Sequence, residues 1–120
     1  MNLIQKLRRL RQKFRNSGWD IVFQTINAQL PIVQKLYIRH GLTIQITCYS
    51  CPEQYEVFRG EKQVAYYRLR HGSFRVDYPE CCGETIYEAE PDGDGAFESY
   101  ERFNYLSEAM HAVLKRIESE

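Results

Sequence analysis

The sequence predicts an α+β fold: helices at the amino-terminal end, an antiparallel β-meander of about four to five strands, and a carboxy-terminal amphipathic helix packed on the sheet. Three observations predict it. Apolar residues recur every three or four positions up to residue 41, then every second position from Leu42, and return to a helical stripe after Gly95. Short Gly-containing breaks separate the alternating runs, which suits hairpins rather than crossovers.

Leu3, Ile4, Leu7, Leu10 and Phe14 place a first helix, with Asn16-Ser17-Gly18 expected to stop it. Trp19, Val22, Phe23, Ile26 and Leu30 give a second helix, running to about Gln29. Pro31 then kinks that helix or opens a third short one carrying Ile32, Val33, Leu36 and Tyr37, with Gly41 as its cap. Leu42, Ile44 and Ile46 alternate with Thr43, Gln45 and Thr47 in a half-buried strand. Residues 53–59, 63–70, 73–78 and 84–90 read as four more strands, with turns at Gly60-Glu61, His71-Gly72 and Cys82-Gly83. Phe103, Leu106, Met110, Val113, Leu114 and Ile117 form the stripe of the last helix.

At 120 residues the chain makes one domain, 1–120. Its hydrophobic fraction of 43% and charged fraction of 27% are those of an ordinary globular protein and argue against disorder. No apolar run approaches the roughly 20 residues that span a bilayer, so no membrane partner is expected. Leu7-Arg8-Arg9-Leu10-Arg11 breaks any secretory apolar core, and with four Cys this points to free thiols in the cytoplasm.

The zero net charge hides a division. Residues 1–41 form a basic helical part, with eight Lys or Arg against Asp20 alone. Residues 42–120, the sheet and last helix, carry eight basic residues against fifteen acids. Nine of those acids fall between Asp77 and Glu101, where there is no Lys or Arg. Such asymmetry concerns partners and steering rather than fold.

A two-residue turn at His71-Gly72 sets a register. Leu69 then faces Phe74, Tyr67 faces Val76 and Ala65 faces Tyr78 on the core side. The other side pairs Arg70 with Ser73, Arg68 with Arg75 and Tyr66 with Asp77. Like charges directly across a ladder cost stability, so Tyr66, Arg68, Arg70 and Arg75 are candidate contacts for a carboxylate, a phosphate or an acidic protein face. Glu84, Glu88 and Asp92 are the matching candidates on the acidic side. Glu56, Glu88 or Asp77 neutralising the arginines is the simpler alternative.

Residues 90–101 have the spacing of a calcium loop: Glu90, Asp92, Asp94, Gly95 at the turn and Glu101 at the twelfth position. Glu90 stands where that motif wants Asp, and a strand precedes it where a helix belongs. The plainer reading is a polar turn whose acids favour the next helix's amino-terminus. Cys48 and Cys51 form a knuckle that Cys81 and Cys82 would complete for zinc, although adjacent Cys do not easily face one ion. With three His and no catalytic motif, the chain reads as non-enzymatic, and no cofactor is required. Arg8, Arg9, Arg11, Lys13 and Arg15 are the nucleic-acid-binding candidates.

Pro52-Glu-Gln-Tyr-Glu56, Tyr67-Arg-Leu-Arg-His-Gly72, Gly83-Glu-Thr-Ile-Tyr-Glu88 and Gly93-Asp-Gly95 resemble small uncharacterised proteins of bacterial prophages and mobile elements, over the last two-thirds of the chain. The resemblance carries no active site to transfer. It implies a context of compact inhibitors or regulators of host machinery, anti-CRISPR proteins among them. The leading expectation is therefore a cytoplasmic phage or mobile-element protein that binds a host protein or ribonucleoprotein complex through charged surfaces. A small nucleic-acid-binding protein is the alternative, and a calcium-binding module the third reading.

Overall fold

The computed structural model describes the backbone of residues 2–120 and the side chains of residues 2–4 and 21–120. The chain runs α1 (Leu3–Arg39), β1 (Thr43–Cys48), β2 (Glu53–Arg59), β3 (Lys62–Arg70), β4 (Ser73–Tyr78), β5 (Glu84–Ala89) and α2 (Ser99–Glu118). The five strands form one antiparallel meander in sequence order. The α+β expectation and the number of strands hold.

The amino-terminal helices differ from expectation. One element, Leu3–Arg39, replaces three, and Pro31 lies inside it. Proline removes one backbone hydrogen bond and crowds the preceding turn. Packing outweighs this local cost, because Ile26 before Pro31 and Val33 and Tyr37 after it are all buried. The turns on either side of Pro31 are thus held on the domain. The expected stop at Asn16-Ser17-Gly18 falls within the bounds of α1, among residues whose side chains lie outside the described set. The far end is as the sequence indicates. Gly41, at φ 75°, donates to the Ile38 carbonyl, and Leu42 donates to that of Tyr37, which closes a left-handed helix cap.

Across the β3–β4 turn, His71 and Gly72 both have positive φ, as a two-residue hairpin requires. The register is the expected one for Leu69↔Phe74, Tyr67↔Val76, Arg70↔Ser73, Arg68↔Arg75 and Tyr66↔Asp77. The ladder ends there, short of an Ala65–Tyr78 pair. On its other edge Tyr78 pairs with Glu84 of β5, and its hydroxyl donates to Glu120 beyond α2.

Both helices cover the same sheet face. Val33 and Tyr37 of α1 and Leu106, Ala109, Met110 and Val113 of α2 join Tyr55, Val57, Tyr67, Leu69, Phe74 and Val76 in one core. A phenol chain ties the layers. The Tyr37 hydroxyl donates to the Leu106 carbonyl at 2.6 Å, which leaves it to accept the Tyr67 hydroxyl at 2.7 Å. Burial pushes the Tyr37, Tyr55 and Tyr67 phenols above their ordinary value.

Two expectations follow from this core. Pro31 is exposed, so Pro31→Ala should restore a helical hydrogen bond and stabilise the protein by about 1–3 kcal/mol. Urea unfolding measures it, and a loss of stability would mean that the proline shapes the helix to its seat. The raised phenols hold protons that the unfolded chain releases near pH 10, so their contribution is intact below about pH 10 and falls as pH rises further. A stability profile that stays flat from pH 9 to beyond about 11 would contradict that assignment.

Candidate functional site

Packing both helices on one face leaves the other without a covering element among the described residues. Two cross-strand rows run over that uncovered face. One is Gln54↔Arg68↔Arg75↔Glu88, and the other is Gln45↔Glu56↔Tyr66↔Asp77↔Thr85. Tyr66, Arg68, Arg70 and Arg75 therefore do share one surface, with Arg70 and Ser73 in the adjoining row. Arg68 is half-buried and Arg70 exposed.

Arg75 and Arg68 differ in their counter-charges. Arg75 Nε lies 3.1 Å from Asp77 Oδ1, a charge contact without hydrogen-bond alignment. The Asp77 carboxylate is only 1% exposed and is otherwise spent on structure. It accepts the Thr85 hydroxyl at 3.0 Å and the Cys82 amide at 3.1 Å. Arg68 has no ion pair among the described residues. The neutralising alternative thus applies to Arg75 and not to Arg68. Burial raises the Tyr66 phenol above its ordinary value, and the Cys81 thiol adds to the effect.

The acidic candidates are dispersed. Glu84 pairs with Arg116 of α2 at 2.8 Å. Glu88 is exposed beside Arg75, and Asp92 accepts the Tyr100 hydroxyl, which raises that phenol to about 12. Arg8, Arg9, Arg11, Lys13 and Arg15 lie outside the residues whose side chains are described.

In the loop between β5 and α2 the carboxylate at the twelfth position is used by the backbone. Glu101, expected to offer both oxygens to the ion, instead accepts three backbone amides: Asp92 at 2.8 Å, Gly93 at 2.9 Å and Glu98 at 2.8 Å. It caps the start of α2, the use that a carboxylate in a first helical turn favours. Gly93 serves close approach, since a Cβ there would sit 1.9 Å from the Ala96 carbonyl oxygen. The backbone carbonyls of Asp94 and Gly95 receive amides from Gly72, Cys51 and Glu53, which sews the loop to the sheet end. Glu90, Asp92, Asp94 and Glu101 are not gathered. Among the described residues no three His, Cys, Asp or Glu side chains converge as metal donors. The four Cys likewise do not meet, although Cys81 and Cys82 lie with their sulfurs 3.4 Å apart, contrary to the expected divergence.

Beneath the loop lies a buried pair that sequence reasoning missed. Arg102 donates through Nε to Glu53 Oε2 at 3.0 Å and through Nη2 to Oε1 at 2.9 Å. It also donates to the Phe97 carbonyl and to Gln29 Oε1. Glu53 further accepts the Phe97 amide at 3.0 Å and the Tyr55 hydroxyl. A signal existed: Glu53 has the same strand parity as Tyr55 and Val57, so an acid was bound for the core and needed a buried cation. A small cavity of about 110 Å³ adjoins the pair, lined by Ile21, Val22, Thr25, Phe97, Glu98 and Ser99.

No family model, curated protein or solved structure matches this chain.

Removing one partner should leave a buried charge unpaired. Glu53→Met and Arg102→Met should each cost about 3–5 kcal/mol, and the double substitution clearly less than their sum. Additive losses in urea unfolding would show that the pair is not coupled.

Proposed function

We propose that this protein is a non-enzymatic interaction module that docks a protein partner on the uncovered face of its sheet. One observation carries the reading. Arg68 stands directly opposite Arg75 in the middle of that face, and of the two only Arg75 has a counter-ion among the described residues. A like-charge pair in which one member lacks a counter-ion costs the fold stability, and a carboxylate from a partner facing Arg68 would offset it. The surroundings suit a protein rather than a nucleic-acid surface. Tyr and Arg at the centre with Glu56 and Glu88 around them give mixed charge, whereas phosphate tracking favours a single basic stripe.

The non-enzymatic part of the reading rests on the buried titratable cluster. The carboxylate oxygens of Glu53 and most N–H groups of Arg102 are engaged by protein groups. The adjoining cavity is far below the few hundred Å³ of ordinary ligand sites. Inhibition or regulation of a nucleic-acid-handling complex is the role suggested by the resemblance to prophage and mobile-element proteins. The second reading, direct nucleic-acid binding, rests on the six basic residues between Lys6 and Arg15.

Arg68→Glu with Arg70→Glu is the appropriate test, because removing Arg75 would also strip Asp77 of its counter-charge. The pair of substitutions should weaken the partner captured by the parent protein by more than about tenfold, with melting no lower than the parent's because the carboxylate opposite Arg75 removes the like-charge repulsion. Capture from nuclease-treated extract separates a protein from a nucleic-acid partner. Equal affinity of parent and variant would sink the sheet-face reading, and loss of capture on nuclease treatment would favour the second.

A further inference from the structure

Residues 79–83 connect β4 to β5 and present two thiols side by side. Successive side chains along extended chain point to opposite sides, so neighbouring Cys ordinarily diverge. Cys82 departs from that geometry with φ 67°, in the left-handed region that costs a non-glycine residue energy. The result is a Cys81–Cys82 Sγ separation of 3.4 Å, with both residues exposed.

The backbone that produces this pair is fixed from below. The Cys82 amide donates to Asp77 Oδ2 at 3.1 Å, and Asp77 is itself buried and held by Thr85 and Arg75. On the next residue, a Cβ at Gly83 would lie 2.3 Å from the Tyr78 carbonyl oxygen, so the turn closes tightly against the strand end. The Gly83 amide donates to the Glu80 carbonyl at 3.0 Å. The two sulfurs are therefore juxtaposed by a supported turn.

We propose that Cys81 and Cys82 form a chelating site for one thiophilic metal ion of the Zn²⁺ or Cd²⁺ type. The two thiolates supply the protein donors, and water or a partner's side chain completes the shell. Soft sulfur donors select such ions over Mg²⁺ or Ca²⁺. With zinc–sulfur bonds of about 2.3 Å, two sulfurs on a tetrahedral ion stand roughly 3.8 Å apart, and somewhat farther on the larger Cd²⁺. The present separation of 3.4 Å needs to open by only a few tenths of an ångström. A disulfide fits less well. Consecutive Cα atoms are about 3.8 Å apart, below the roughly 4.4 Å at which unstrained disulfides begin. The inference depends on this turn alone and not on the sheet-face reading.

The test uses the full reduced chain titrated with Cd²⁺, read by the ultraviolet sulfur-to-cadmium charge-transfer band. One ion per chain is expected. Cys81→Ser and Cys82→Ser should each weaken binding by about tenfold or more, because a chelate loses one of two donors. Cys48→Ser with Cys51→Ser should bind as the parent does, and circular dichroism melting should confirm that every variant folds. Absence of the band in the parent would overturn the proposal. So would undiminished binding in either single variant, loss of binding in the Cys48/Cys51 variant, or one ion shared between two chains.

Discussion

The buried Glu53–Arg102 pair is the constraint around which the rest of the molecule is arranged. Glu53 opens β2 on the core face, and Arg102 sits one residue past the capping Glu101 in α2. Their hydrogen bonds reach Gln29 on α1 and both backbone groups of Phe97, so four segments meet at one charge pair. Desolvating two ions is costly, and an apolar packing of the same volume could hold the segments as firmly. What the pair adds is direction. A bidentate guanidinium–carboxylate contact admits few orientations, so α2 has one favoured angle and register against the sheet. Gln29 extends that restriction to α1 by donating to the Ser99 carbonyl while accepting from Arg102. With both helices fixed on one face, the other has no covering element among the described residues.

The strands were legible because their signals are local. Alternation gave 53–59 and 73–78 to the residue, and the His71-Gly72 turn gave the register of β3 against β4. Elements whose state depends on distant packing were not legible. Pro31 reads as a boundary from its own chemistry, yet Ile26, Val33 and Tyr37 hold the helix through it. The loop before α2 was ambiguous for a different reason. Acids and glycines at the same spacing serve an ion or a helix cap equally well. The cap use of Glu101 goes with a loop sewn to the sheet end, where Gly95 receives amides from Cys51 and Glu53, more than forty positions away. No local pattern carries that.

The candidate face was half legible. The two-residue turn alone places Arg68 against Arg75, but whether the arginines are neutralised depends on Asp77 being buried. That burial follows from the β4–β5 bulge, which brings Thr85 opposite Asp77 and folds the Cys82 amide over it. The acidic run from Asp77 to Glu101 is also less uniform than its composition suggests. Arg116 answers Glu84, Arg75 answers Asp77, and Glu101 is absorbed by backbone amides. A block of like charge in sequence is thus divided among separate local tasks.

Asp77 joins the two surface features. One oxygen faces Arg75 and Thr85, and the other holds the Cys82 amide that keeps the thiols together. A buried carboxylate at 1% exposure cannot drop one of these contacts without exposing an unmet charge to low dielectric. The arginine row and the dithiol turn are therefore mechanically linked through a single side chain. Moving the turn would redirect Arg75, and with it the charge presented beside Arg68. The hairpin turn sets the register of the like-charged pair, and Asp77 supplies the counter-charge that one member of it has.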